Sequence, residues 1–180
     1  MRYRRIRNKG ARYFFTVVTY NRRRFLCCPE NVQLLRQAFQ WTMQRHPIEI
    51  NAFVLLPDHL HCIWTLPKDD DNYSTRWRLI KTHFSRHCQD EFADRVSKSR
   101  ENKQERMFWQ RRFWEHAIRD DKDFEKHVEY IYYNPVKHGL TAAPKDWEYS
   151  SFHRYVKSGL YDQMWGAGEK MSFDLDIGNE

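Results

Sequence analysis

The sequence predicts an α+β fold, and three observations carry that expectation. Segments of two-residue and of three-to-four-residue hydrophobic period follow one another as strand, helix, strand, strand, helix, strand. The two middle strands abut a Pro57–Asp58 turn, the mark of an antiparallel hairpin. A chain of 180 residues, 41% of them hydrophobic, is long enough to bury one core without disulfides or structural metal. The expected architecture is a ferredoxin-like antiparallel sheet with helices on one face, followed by a further helix and a short helical tail. One domain spans 1–166, and residues 167–180 form an acidic tail.

Tyr13 to Tyr20 (YFFTVVTY) is aromatic and β-branched, and reads as a strand. Pro29 and Glu30 open a helix whose Val32, Leu35, Phe39 and Met43 recur at helical steps, running to about His46 before Pro47 stops it. Ile48 to Leu56 and His59 to Leu66 are the paired strands. After the polar loop holding Asp69, Asp70 and Asp71, a helix from Ser74 turns Trp77, Ile80, Phe84 and Cys88 inward and carries Arg76, Arg78, Lys81 and Arg86 outside. Residues 94–106 are polar and read as loop or helix extension. Met107 to Ile118 reads as a fourth strand, bent or interrupted. A helix from Asp123 to about His138 begins on acids and ends at Gly139, with its course past Asn134–Pro135 left open by the bias proline imposes on its predecessor. A short helix over Ser150 to Lys157 closes the series.

Charge points to a polyanion. Lys and Arg number 31 against 24 Asp and Glu, for a formal charge of +7. Residues 1–26 contain Arg2, Arg4, Arg5, Arg7, Lys9, Arg12, Arg22, Arg23 and Arg24 and no acid, interleaved with Tyr3, Tyr13, Phe14, Phe15 and Tyr20. That mixture suits phosphate contact with base stacking, although some of those aromatics also suit the inner face of a first strand. The tail leans acidic, with Glu169, Asp174, Asp176 and Glu180. Cys27, Cys28, Cys62 and Cys88 form no C-x-x-C pair, which argues against a zinc ribbon or a dithiol redox site. Residues 1–12 are too charged for an apolar leader, and no stretch approaches a membrane span. Free thiols in a reducing, cytoplasmic setting are expected.

Two clusters hold the chemistry. On a strand, His59 and His61 point to one side while Leu60, Cys62, Trp64 and Leu66 point to the other. Two imidazoles so spaced can share a divalent cation, yet two exposed histidines on a half-wet sheet have the same spacing. In Tyr130-Ile131-Tyr132-Tyr133-Asn134, Tyr130 and Asn134 share a helix face. A phenol needs a nearby cation or base to act as a nucleophile, and Asn134 offers a neutral oxygen for a hard metal. Tyr132 and Tyr133 lack that partner one turn on and read as packing residues. The other histidines read as packing or surface groups, with His116 and His127 set apart because His127 lies one turn before Tyr130.

YFFTVVTYNRR, LLPDHLHCIW, RFWEHAIRDDKDFEKHVEYIYYNPVKHGL and WEYSSFHRYVKSGLY together resemble the IS200/IS605-type Y1 HUH transposases, most closely their REP-associated tyrosine transposase branch. The resemblance runs nearly end to end. It implies that His59 and His61 are the paired histidine ligands, that Tyr130 is the nucleophile and that Asn134 completes a site for Mg2+ or Mn2+. Asn134 stands where the insertion-sequence enzymes generally carry glutamine. The implied activity is cleavage and joining of single-stranded DNA bearing a REP-type hairpin, through a 5′-phosphotyrosine. Arg2, Arg4, Arg5, Arg7, Arg12, Arg22, Arg23, Arg24, Lys81, Arg111 and Arg112 would hold the DNA, and the protein would act as a monomer or a homodimer. An open sheet face would admit the flexible strand, and the acidic tail would fold back over the basic site. The main rival is a hairpin-binding protein that does not cut. A rolling-circle nickase and an RNA-binding module are weaker rivals, for want of a helicase-like segment and of an aromatic RNA-binding pattern.

Overall fold

The computed structural model describes residues 7–92, 108–173 and 177–178. Its strands are β1 (Arg12–Val18), β2 (Glu49–Leu55), β3 (His59–Thr65) and β4 (Trp114–Ala117). Its longer helices are α1 (Pro29–Met43), α2 (Tyr73–His87) and α3 (Asp121–Lys137), with a short α4 (Phe152–Lys157). The strands form one sheet in the order β2-β3-β1-β4, every neighbour antiparallel, as the ferredoxin-like expectation requires.

Alternation along the strands sorts their side chains onto two faces. Tyr13, Phe15 and Val17 of β1 and Leu60, Cys62 and Trp64 of β3 face α1 and α2, meeting Leu35, Phe39, Trp77, Ile80 and Phe84. Trp64 and Trp77 stack at 4.3 Å between ring centroids at the centre of that core. Burying each such side chain stabilises the fold by roughly 1.5–3 kcal/mol. Phe14 and Ile63 face the other way and pack with Ala52 and Val54 of β2 against Val128, Ile131 and Tyr132 of α3 and Phe152 of α4. A bulge between Ile50 and Ala52 resets the alternation of β2. Ile50 and Phe53, three apart, therefore both pack on the α1–α2 side.

Local chemistry moves several boundaries from those expected. β1 stops at Val18 because Asn21 and Arg22 take positive φ (52° and 51°) in a tight turn, while Thr19 bridges to Trp109. Of the strand expected over Met107–Ile118, the described residues 108–118 are accordingly interrupted, with that one bridge and then β4. Helix α3 starts at Asp121 because the Asp120 carboxylate accepts the Asp123 N–H at 2.8 Å. It passes through Pro135, which is buried along with Asn134. Gly139 at φ 64° then closes it, the Leu140 N–H reaching the Pro135 carbonyl at 2.9 Å and the Gly139 N–H that of Val136 at 2.9 Å. Packing and this closing motif outweigh the bias against helix before proline.

Arg76 overturns one expectation. It is buried rather than on the outer face of α2, and its guanidinium donates to the carbonyls of His46, Pro47 and Asn72 and to Asp70 Oδ2 at 2.8 Å. It ties the end of α1 to the start of α2. The cysteines are all free thiols, and Cys62 lies in the α1–α2 core. No helix among the described residues is long and apolar enough to cross a membrane. The loop expected at 94–106 falls outside the described residues, and so do Arg2, Arg4 and Arg5.

Candidate active site at the contact of strand β3 with helix α3

His59 and His61 project from β3 toward α3, with their rings 4.9 Å apart. Both are buried, at 1% and 0% exposure, which excludes the half-wet-sheet explanation of the pair. Each Nδ1 is engaged. Asp58 Oδ1 lies 2.7 Å from His59 Nδ1, and Thr16 Oγ1 lies 3.0 Å from His61 Nδ1. The Thr16 hydroxyl donates to the Gly178 carbonyl at 2.9 Å, so toward His61 it accepts, and Nδ1 of His61 carries the hydrogen. An Nδ1–H tautomer places the lone pair on Nε2, the form of a histidine ready to take a metal. Asp58 keeps its carboxylate ionised below the ordinary range: burial would raise it, but hydrogen bonds and charge from His59 and Arg22 outweigh that.

Helix α3 meets both histidines. The Tyr130 ring stands edge-on to His61 at 5.3 Å, and the His138 ring edge-on to His59 at 5.1 Å. Tyr130, Asn134 and His138 are spaced by four, so one face of the helix carries all three. The two ring contacts bracket Asn134, which is fully buried. The imidazoles and the phenol thus converge within a single chain. Lys137, two turns beyond Tyr130, reaches back so that its Nζ donates to Tyr130 Oη at 3.0 Å and lies 4.7 Å from the ring centre. Tyr132 and Tyr133 pack elsewhere, their hydroxyls on Ser151 Oγ and the Glu169 carbonyl. Burial pushes the Tyr132 phenol well above its ordinary value, which makes it a poor nucleophile.

The face expected to be open is covered. Phe173 packs edge-on to Tyr130 at 5.4 Å and against Tyr133 at 5.7 Å. Gly178 sits against Tyr130 so closely that a β-carbon there would collide with Oη. Phe173 and Gly178 thus lie against Tyr130; Asp174, Asp176 and Glu180, whose charge was the ground for expecting the tail over the basic site, lie outside the described residues.

A second titratable cluster flanks the first across Phe14, whose ring is 4.9 Å from His127 and 5.4 Å from His61. His116, Asp123 and His127 bring three ligand atoms within 4.8 Å of one another. The Asp123 carboxylate is already occupied by His116 Nε2 at 2.8 Å, the Arg119 N–H at 2.9 Å and the Arg119 guanidinium. Burial would raise its pKa, yet these partners hold it well below the carboxylate range. The cluster fastens the start of α3 to β4. His127 donates from Nδ1 to the Asp123 carbonyl at 2.7 Å, and burial lowers its pKa.

The basic residues divide. Arg7, Arg12, Arg22, Arg24, Arg111 and Arg112 are exposed. Arg22 pairs with Asp58 at 3.1 Å, and Arg12 lies over the Phe124 ring. Arg23 is spent on the carbonyls of Glu91 and Phe92, and Lys81 on that of Gln110. Sequence reasoning passed over Thr16, Asp58, Lys137 and His138 as site residues. The run Asn134-Pro-Val-Lys-His138, continuing one helix face from Tyr130, was the signal for the last two.

The chain matches known proteins along most of its length. The profile of the family described as "Transposase IS200 like" matches residues 9–134. The chain is similar to the REP-associated tyrosine transposase of Escherichia coli K12, 47% identical over 171 residues, which are 95% of this chain and 93% of that protein. A Haemophilus influenzae relative is 45% identical over 175 residues, 97% of this chain and 98% of its own. The solved structure of a REP-associated tyrosine transposase bound to a REP hairpin superposes with a TM-score of 0.79 at 45% identity, covering 97% of this chain and 95% of that one.

Proposed function

This chain belongs to the IS200-like transposase family, and we propose that it cleaves and joins single-stranded DNA at REP-type hairpins through a 5′-phosphotyrosine on Tyr130. The observation that carries the proposal is the contact of Tyr130 with His61, both buried beside His59, on the helix face that also carries the buried Asn134. The donor set fits a hard divalent cation: two imidazoles whose Nδ1 atoms face Asp58 and Thr16, and one amide oxygen. His59, His61 and Asn134 would hold Mg2+ or Mn2+. When bound, the cation would polarise the scissile phosphate and offset charge on the leaving oxygen. The already ion-paired Asp123 makes the neighbouring histidine cluster the poorer fit.

Tyr130 Oη attacks phosphorus in line, and the strand is left as a 5′-phosphotyrosine and a free 3′-hydroxyl. The bond energy stays in the covalent link, so an incoming 3′-hydroxyl reverses the step and joins strands without a nucleotide cofactor. Because His61 and Tyr130 meet within one chain, a monomer suffices for the chemistry. The exposed arginines Arg7, Arg12, Arg24, Arg111 and Arg112 would position the hairpin through phosphates, with Arg2, Arg4 and Arg5 as further candidates. The similarity to a structure bound to a REP hairpin supports that choice of DNA.

The covered site favours a second reading, a hairpin binder that does not cut. One experiment separates the two: a labelled single-stranded REP-type hairpin is incubated with the protein and Mn2+ or Mg2+, then run on a denaturing gel. A protein–DNA adduct that disappears in Tyr130→Phe and persists in Tyr133→Phe supports the enzyme. Tight binding with no adduct in either metal supports the binder.

A further inference from the structure

We propose that Lys137 is a catalytic residue, its ammonium stabilising the charge on the Tyr130 oxygen both when that oxygen attacks and when it leaves. The inference rests on the reading of Tyr130 as nucleophile and extends it to the group that makes a phenol usable.

A tyrosine nucleophile must lose its proton and carry negative charge on Oη, which water-exposed phenols resist near neutral pH. Lys137 Nζ lies 3.0 Å from that oxygen and 4.7 Å from the ring centre, so the cation touches the atom on which charge develops. The approach follows from helix geometry. Side chains lean toward the helix N-terminus, so a long stem at position i+7 can run back two turns along the face that carries Tyr130. His59 and His61 give their Nδ1 atoms to Asp58 and Thr16, and Phe173 stacks edge-on over the ring. Phe14 adds a further apolar wall 6.1 Å from it. Tyr130 is buried and Lys137 exposed, so the ammonium reaches the oxygen from the solvent side, and the apolar rings reduce screening of the contact only on the Tyr130 side.

In the forward step the phenol proton passes to solvent water, and the phenolate pair forms the P–Oη bond as the P–O3′ bond breaks. The departing 3′ oxygen takes a proton from solvent. In the joining step an incoming 3′-hydroxyl gives its proton to solvent, attacks phosphorus and expels the Tyr130 oxygen as phenolate. The ammonium of Lys137 gains and loses no proton in either direction. It faces the same oxygen in both, so its removal slows both.

The test uses the full-length protein with Mn2+ and a REP-type hairpin, comparing wild type with Lys137→Met, Lys137→Gln and Lys137→Arg. Three quantities are read: the single-turnover rate of adduct formation, the rate at which isolated adduct joins an added 3′-hydroxyl strand, and the hairpin Kd without metal. Loss of one stabilising contact to a developing charge typically costs on the order of 10²–10³-fold in rate. Met and Gln should slow both directions by comparable factors of that size with Kd within about twofold, and Arg should retain much of the rate. Cleavage within about threefold of wild type in Met and Gln, or a loss wholly explained by weaker hairpin binding, overturns the role of Lys137 alone. Absence of any Tyr130 adduct in the wild type overturns the enzymatic reading and this inference together.

Discussion

The hydroxyl of Thr16 stands 3.0 Å from Nδ1 of His61, directly opposite it in the β1–β3 ladder. Cross-strand register thus sets the orientation of a candidate metal ligand. Thr16→Val keeps the shape and removes the acceptor. Partners of this kind are worth roughly 10–100-fold in metal affinity. The Mn2+ concentration for half-maximal adduct formation should rise by a factor in that range while the rate at saturating metal is maintained. A metal titration checks this, and an unchanged midpoint would show that the threonine does not orient the ring.

The C-terminal segment closes over Tyr130, and Gly178 fits only because it lacks a β-carbon. Deleting residues 173–180 should raise the single-turnover rate of adduct formation at saturating Mn2+, since Phe173 and the Gly178 contact with Tyr130 are both removed, while the loss of the Gly178 carbonyl that Thr16 donates to should raise the Mn2+ concentration needed. Gly178→Ala should act in the same direction through collision with Oη. Equal rates in wild type, deletion and point variant would mean that DNA displaces the segment at no kinetic cost.

Stability should depend on pH through His127 and, more acidly, Asp123. Burial lowers the His127 pKa, so the unfolded chain takes up a proton near its ordinary value of ~6.5 while the folded chain does not. Its contribution is full above that value and is lost as pH falls toward the folded pKa. Asp123 is held below the carboxylate range, so its contribution is full above ~4 and is lost only in stronger acid. Between pH 7.5 and 5, roughly, the fall in Tm should be steeper in wild type than in His127→Gln. Parallel curves from thermal melts would refute the assignment. The groups facing His127 are His116, Asp123, Arg119 and the Phe14 ring, and of these Asp123 stays ionised throughout that window.

Arg111 and Arg112 are exposed between the Trp109 bridge and β4. As phosphate contacts, each should contribute about one unit to the slope of log Kd against log salt. Arg111→Ala with Arg112→Ala should flatten that slope by up to about two units and weaken binding alike for hairpins of different sequence. A sequence-dependent loss would instead mark base recognition.

Much of this architecture was legible because it is written in local periods. The two-residue alternation of His59-Leu-His-Cys-Ile-Trp64 placed both imidazoles opposite Cys62 and Trp64, as found. The four-residue step from Tyr130 to Asn134 placed phenol and amide on one helix face. Resemblance of whole segments then linked a hairpin and a helix that no local rule connects.

What stayed hidden depends on contacts between distant segments. That Arg76 turns inward is decided by the carbonyls of His46 and Pro47, some 30 residues earlier in the chain. Periodicity alone gave it to the surface.

By itself, then, the chain determined the sequence of elements, which residues share a face, and the residue types available for metal and nucleophile. Only the tertiary structure decided that α3 and the C-terminal segment close the second face of the sheet, that Thr16 and Asp58 orient the histidines, and that Lys137 meets Tyr130. The reason is physical: alternation and helical spacing follow from backbone geometry within a few residues. Burial, tautomer and charge environment follow from which remote surfaces pack together, and that is settled by the whole fold at once.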